Sequence, residues 1–141
     1  MADWPASDQR LWEHHVARNR NPFLEGAEET LSPITINGRR YSWGVFLAFA
    51  KRIDPDLLTL PLHLRLTKRI VDDFVADCRQ RCRETTIVVH LERLYLVARS
   101  LCPEQDFRWI YQIARRIALR APRLLHPTVV RHNFIVLASK A

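Results

Sequence analysis

Between Thr67 and Pro122 the chain repeats one pattern three times. Apolar residues at Ile70, Val71, Phe74, Val75 and Cys78 form a first stripe. Ile87, Val88, Leu91, Leu94, Tyr95, Ala98 and Leu101 form a second, and Trp109, Ile110, Ile113, Ala114 and Ile117 a third. Each follows the i, i+3/i+4 spacing of a helix with one buried face. The spacing predicts helices from Thr67 to about Arg81, from Glu84 to about Leu101, and from Asp106 to about Arg120. Thr67 and Asp106 serve as caps, and Cys102-Pro103 closes the middle helix. The faces opposite the stripes carry Lys68, Arg69, Arg79, Arg93, Arg99, Arg108, Arg115, Arg116 and Arg120. An all-helical unit with cationic outer faces points to a polyanionic partner, nucleic acid first.

The flanks read less sharply. Ser7 or Asp8 caps a first short helix, with Leu11, Trp12 and Val16 as its apolar side, stopped by Asn21-Pro22. Glu25 to Ser32 reads as a polar, acidic linker. Ile34 to Tyr41 combines β-branched residues with an Asn37-Gly38 turn signal and is expected to be an extended lead-in. Ser42 then caps a second helix, Trp43 to about Ile53, ended by Asp54-Pro55. Leu57 to Leu66 is a leucine-rich connection. A basic hinge between Pro122 and Pro127 precedes a last helix, Thr128 to Ser139. The fold class expected is all-α: a small orthogonal bundle of four to five core helices plus flanking helices.

Composition sharpens this picture. The chain has 141 residues, three of them glycine, and 48% hydrophobic content, which suits one helical domain and argues against a disordered chain. The net charge of +7 is concentrated late: residues 105–141 hold seven basic residues and one acidic residue. No apolar run reaches the roughly 18 residues of a membrane span. Three cysteines without framework spacing point to a reducing cytoplasm.

Catalytic chemistry finds little support. There is no glycine-rich phosphate loop, no G-x-S-x-G and no H-E-x-x-H. His14 and His15 are adjacent, so their rings diverge by about 100° on a helix. Asp72, Asp73 and Asp77 have basic neighbours at ion-pair spacing, such as Lys68 with Asp72. Cys78 and Cys82 lack further metal ligands nearby. No enzyme activity, cofactor or metal is expected of this chain.

Nucleic-acid chemistry is better supplied. Arg83, Thr85 and Thr86 stand at a helix start, where free backbone N–H groups suit a phosphate. Thr86, His90 and Arg93 are spaced i, i+4, i+7, which would let His90 and Arg93 reach base edges. Arg39, Arg40, Ser42 and Trp43 open the second helix, and Lys51 and Arg52 end it. Two other readings compete. One is a protein-interaction module anchored by Trp4, Trp12, Trp43 and Trp109. The other is a transcription regulator of helix-turn-helix type.

Three segments together resemble a known family. LTKRIVDDFVADCRQR leads to Glu84-Thr85-Thr86 and then to HLERLYLVARSLCPEQDFRWI. Within the last, Leu101 to Ile110 is similar to the "L-x-P-x-x-D-W/F-x-W-L" junction of a subset of phage integrases, with Ile110 at the final position. YSWGVFLAFAKR resembles that family's first core helix. Residues 39–122 are thus similar to the N-terminal core-binding domain of tyrosine recombinases. The resemblance implies a SAM-like bundle forming half of a C-shaped clamp on double-stranded DNA. It implies DNA contacts at Arg40, Ser42, Trp43, Lys51, Thr85, Thr86, His90 and Arg93, and protomer or DNA contacts at Arg115 and Arg116. Residues 1–38 would be an N-terminal helix and arm, and 123–141 a linker and the start of a catalytic domain. The family's catalytic residues lie beyond this point. The last tyrosine here is Tyr111, and His132 is no substitute, so strand cleavage is not expected of this chain. Other recombinase protomers on DNA are the implied partners, with no membrane and no small-molecule substrate.

Overall fold

The computed structural model describes residues 4–20 and 31–120, and every regular element among them is helical. In chain order these are α1 (Ala6–Arg20), α2 (Pro33–Ile53), a 3-10 turn (Pro55–Thr59), α3 (Leu62–Arg65), α4 (Lys68–Arg79), α5 (Glu84–Leu101) and α6 (Arg108–Arg120). The acidic stretch before Leu31, the hinge and the helix expected from Thr128 to Ser139 lie outside the described residues.

Helices α4, α5 and α6 follow the apolar stripes. Thr67 Oγ1 accepts the Ile70 N–H at 3.4 Å, and Asp106 Oδ1 accepts the Arg108 N–H at 2.9 Å, so both expected caps are in place. Helix α2 departs from expectation. It starts at Pro33, with Ser32 Oγ accepting the Thr35 N–H at 3.2 Å, and runs unbroken to Ile53. The extended lead-in therefore does not exist. Burial explains why: Thr35, Ile36 and Arg39 turn inward on the first turns of α2, and their packing outweighs the strand preference of β-branched residues. Proline at the first helical position reinforces the start. A boundary at residue 38 consequently falls inside a helix. The first helix is no detached arm either, since Trp12 and His15 are buried in the same core.

Helix α5 is the centre of the bundle. It packs most extensively on α6 and next on α2, with α1 and α4 completing its surroundings. Ile87, Leu91, Leu94, Val97 and Ala98 are wholly enclosed. Beside it Phe46, Phe49 and Phe74 stack edge-on, with Phe74 ring centroids 5.4 Å from both partners, the geometry aromatic quadrupoles favour.

One ion pair lies inside this core. Arg65 Nη1 meets Asp8 Oδ2 at 2.6 Å, with side-chain exposures of 3% and 0%. Trp43 Nε1–H donates to the same carboxylate oxygen at 3.2 Å. Arg65 Nε and Nη2 donate to the Leu57, Leu58 and Leu60 carbonyls. Asp8 is therefore not a helix cap; it ties α1 to α2 and α3. The three cysteines are free thiols. Burial pushes Cys78 up to about 11, and burial with the Glu104 carboxylate does the same for Cys102, so both stay protonated near neutrality.

Candidate nucleic-acid interface

The outer face of α2 carries Asn37, Arg40, Tyr41, Ala48, Lys51 and Arg52, all exposed. The helix contains no acidic residue. Arg40 and Lys51 lie eleven positions apart, three turns along α2, with buried Leu47 and Trp4-covered Gly44 on the same side between them. Tyr41, 64% exposed, lays its ring 5.8 Å from that of His90 on α5 and joins the two helices at the surface. Further toward its start α5 presents Arg83 and Thr86, both exposed, with Thr85 half-buried. No side chain caps α5, and its Thr86 N–H bonds back to the Arg83 carbonyl at 3.0 Å.

Four of the residues expected at this interface are elsewhere. Ser42 is fully enclosed, Trp43 is 2% exposed, His90 3% and Arg39 8%. The reason is the early start of α2. Ser42 is a mid-helix residue facing α5 and not a cap, and Trp43 belongs to the core beside Asp8. The outward row of Thr86, His90 and Arg93 is broken at its middle. Thr86 is exposed, His90 turns inward, and Arg93 lies half-buried between them. Direct base reading by His90 is thereby withdrawn, as is any contact by Ser42 or Trp43.

These inward residues form a polar relay. Arg93 Nη1 donates to Ser42 Oγ at 3.2 Å, and Ser42 Oγ lies 2.8 Å from His90 Nδ1. With Arg93 donating to the oxygen, the hydroxyl proton is directed at Nδ1, which fits a neutral ring. Burial, then the Arg93 charge, lowers the His90 pKa below its ordinary 6.5. The guanidinium of Arg93 rests against Gly38, where an added Cβ would stand 2.7 Å from Nη2. Burial lowers the Arg93 pKa, opposed by the charges of Glu92 and Tyr41. A serine bonded to a histidine also resembles a nucleophile with its base, but this hydroxyl is out of reach of any substrate.

A pH dependence follows with a definite sign. Above pH 6.5 the ring is neutral in both folded and unfolded chains. Below it the unfolded chain takes up a proton that the folded chain resists. Stability is therefore lost as pH falls from 6.5 toward the depressed folded value. Other groups around the ring are Tyr41 and Phe74, neither cationic, so Arg93 is the only charge facing it among the described residues. Melting curves between about pH 8 and 5 should fall less steeply for His90→Gln than for the parent chain.

The remaining expected residues, Arg115 and Arg116, are exposed on α6, away from α2. Arg115 faces Glu92, whose pKa burial raises while Arg115 and Arg93 draw it back. Two of the three aspartates of α4 are engaged in ion pairs: Asp72 with Lys68 at 2.8 Å, and Asp77 with Arg52 and Arg81. Among the described residues no cluster of histidine, cysteine or carboxylate could hold a metal ion. No helix of the described residues is long and apolar enough to cross a membrane. Tyr41 is the residue the sequence did not nominate. The signal was there in Ser32-Pro33, which starts the helix that turns Tyr41 outward. Comparison of the chain with protein-family models, with curated proteins and with solved structures gave no match.

Proposed function

We propose that this chain is a DNA-binding helical module of the tyrosine-recombinase core-binding kind, gripping a duplex through its phosphate backbone. The observation that carries the reading is a set of unengaged cations on α2 and at the start of α5. Arg40, Lys51 and Arg83 stand exposed, as do Tyr41 and Thr86, and α2 brings no carboxylate to offset them. Arg40, Lys51 and Arg83 have no ion-pair partner among the described residues, whereas Arg52, Arg79, Arg81 and Arg108 are each engaged with a carboxylate. Unengaged guanidinium and ammonium groups displace condensed counterions when they meet phosphates, which is the main source of affinity for duplex DNA. The start of α5 beside Arg83 carries no side-chain cap, and a helix start of that kind suits a phosphate. The recombinase part of the reading rests on the likeness of residues 39–122 to that family, and it makes this chain the non-catalytic half of a clamp. Gel shifts on duplex DNA across a salt series test the proposal. Binding that weakens steeply with salt supports it, and binding indifferent to salt, or none, defeats it.

A further inference from the structure

We infer that the groove between α4 and α6 receives an acidic peptide segment from a protein partner. The groove encloses about 320 Å³, and none of Arg40, Tyr41, Lys51, Arg83 and Thr86 lines it. Lys68 and Arg79 line one wall, and Arg116 and Arg120 the other. Two carboxylates also enter it, but both are engaged: Asp72 with Lys68 at 2.8 Å, and Glu84 with Arg79 at 3.1 Å. Arg116 and Arg120, one helical turn apart and both exposed, meet no carboxylate among the described residues. Arg116 reaches only the Gln112 carbonyl, at 3.4 Å. The groove therefore holds a surplus of two positive charges at fixed spacing. Its floor is aliphatic, made by Val75, Ile113 and Ile117.

This combination selects among polyanions. A DNA duplex is a broad rod with an unbroken line of charge. It is far too wide to enter the groove and reach its aliphatic floor. A peptide places separate carboxylates about one turn or two residues apart, with an aliphatic side chain between them. Such a segment sets two carboxylates on Arg116 and Arg120 and covers Val75, Ile113 and Ile117. The guanidinium forks suit carboxylates geometrically as well as by charge.

The test is fluorescence anisotropy of the full chain with a labelled peptide repeating Glu-Leu-Glu. Saturable binding is expected. The double variant Arg116→Glu with Arg120→Glu should weaken it about tenfold, the equivalent of reversing two exposed ion pairs. Arg40→Glu with Lys51→Glu should leave it unchanged. Both pairs are surface substitutions, and circular dichroism checks that the helices persist. Absence of saturable binding overturns the inference, as does equal weakening by both pairs, which would mean general charge attraction. It is also overturned if the α6 pair weakens duplex DNA binding and leaves the peptide alone. The DNA proposal fails or stands separately, on the Arg40 and Lys51 variant with duplex.

Discussion

Replacing Asp8 with alanine should cost about 3–5 kcal/mol of folding stability, the typical loss when one partner of a buried ion pair is removed. The guanidinium of Arg65 would stay enclosed with its three backbone carbonyls but without a counter-charge. The indole N–H of Trp43 would lose its acceptor as well. Small domains are stable by only about 5–15 kcal/mol, so the variant would sit close to unfolding at ordinary temperature. Asp8→Asn separates charge from hydrogen bonding. It keeps an acceptor for Trp43 and Arg65 and should cost less than alanine. Urea or thermal unfolding measures both. Because the pair is shielded from solvent, the loss should persist at high salt. An alanine cost below about 1 kcal/mol, the range of exposed pairs, would mean that the pair contributes little to holding α1 in place.

The second large effect concerns binding. Removing Arg40, Lys51 and Arg83 together should flatten the dependence of log affinity on log salt by about three, roughly one for each phosphate no longer neutralised. At about 0.1 M salt the affinity for duplex DNA should drop by more than roughly tenfold. The control is Arg52→Ala with Arg81→Ala. Both side chains are engaged with Asp77, and the slope should barely change. A triple variant with the parent slope would mean that these three cations do not meet the duplex. Since all three side chains are exposed, a loss of folding is not a competing explanation.

The stripes of α4, α5 and α6 are legible in the sequence because their apolar spacing, caps and closing proline agree at every level. In the first half of α2 these levels conflict. Ile34-Thr35-Ile36 and Asn37-Gly38 favour a strand and turn locally, and the burial of Thr35 and Ile36, together with the Ser32-Pro33 start, reverses that preference. The site is legible in its exposed cations and opaque in its buried polar groups. Asp8, Ser42, Arg65 and His90 look like surface residues by type. Each is held inside by a partner 35 to 57 positions away, as in Trp43–Asp8, Ser42–His90 and Arg65–Asp8. Helical periodicity reports neighbours one or two turns away and is blind to pairs of that kind. The same blindness puts His90 on the outside of α5 and leaves Tyr41 unnoticed above it.

The bare α-carbon at position 38 makes the placement of one cation adjustable by a single methyl group. A Cβ there would overlap the tip of Arg93, a flexible end that can swing away at the expense of its bond to Ser42. Gly38→Ala also removes a helix-interior glycine, a gain of about 0.5–1 kcal/mol that offsets part of that loss. The substitution thus moves a guanidinium toward solvent without altering the number of charges. Duplex affinity should rise in Gly38→Ala and return to the parent value when Arg93→Ala is added, which a filter-binding comparison of the three proteins would reveal.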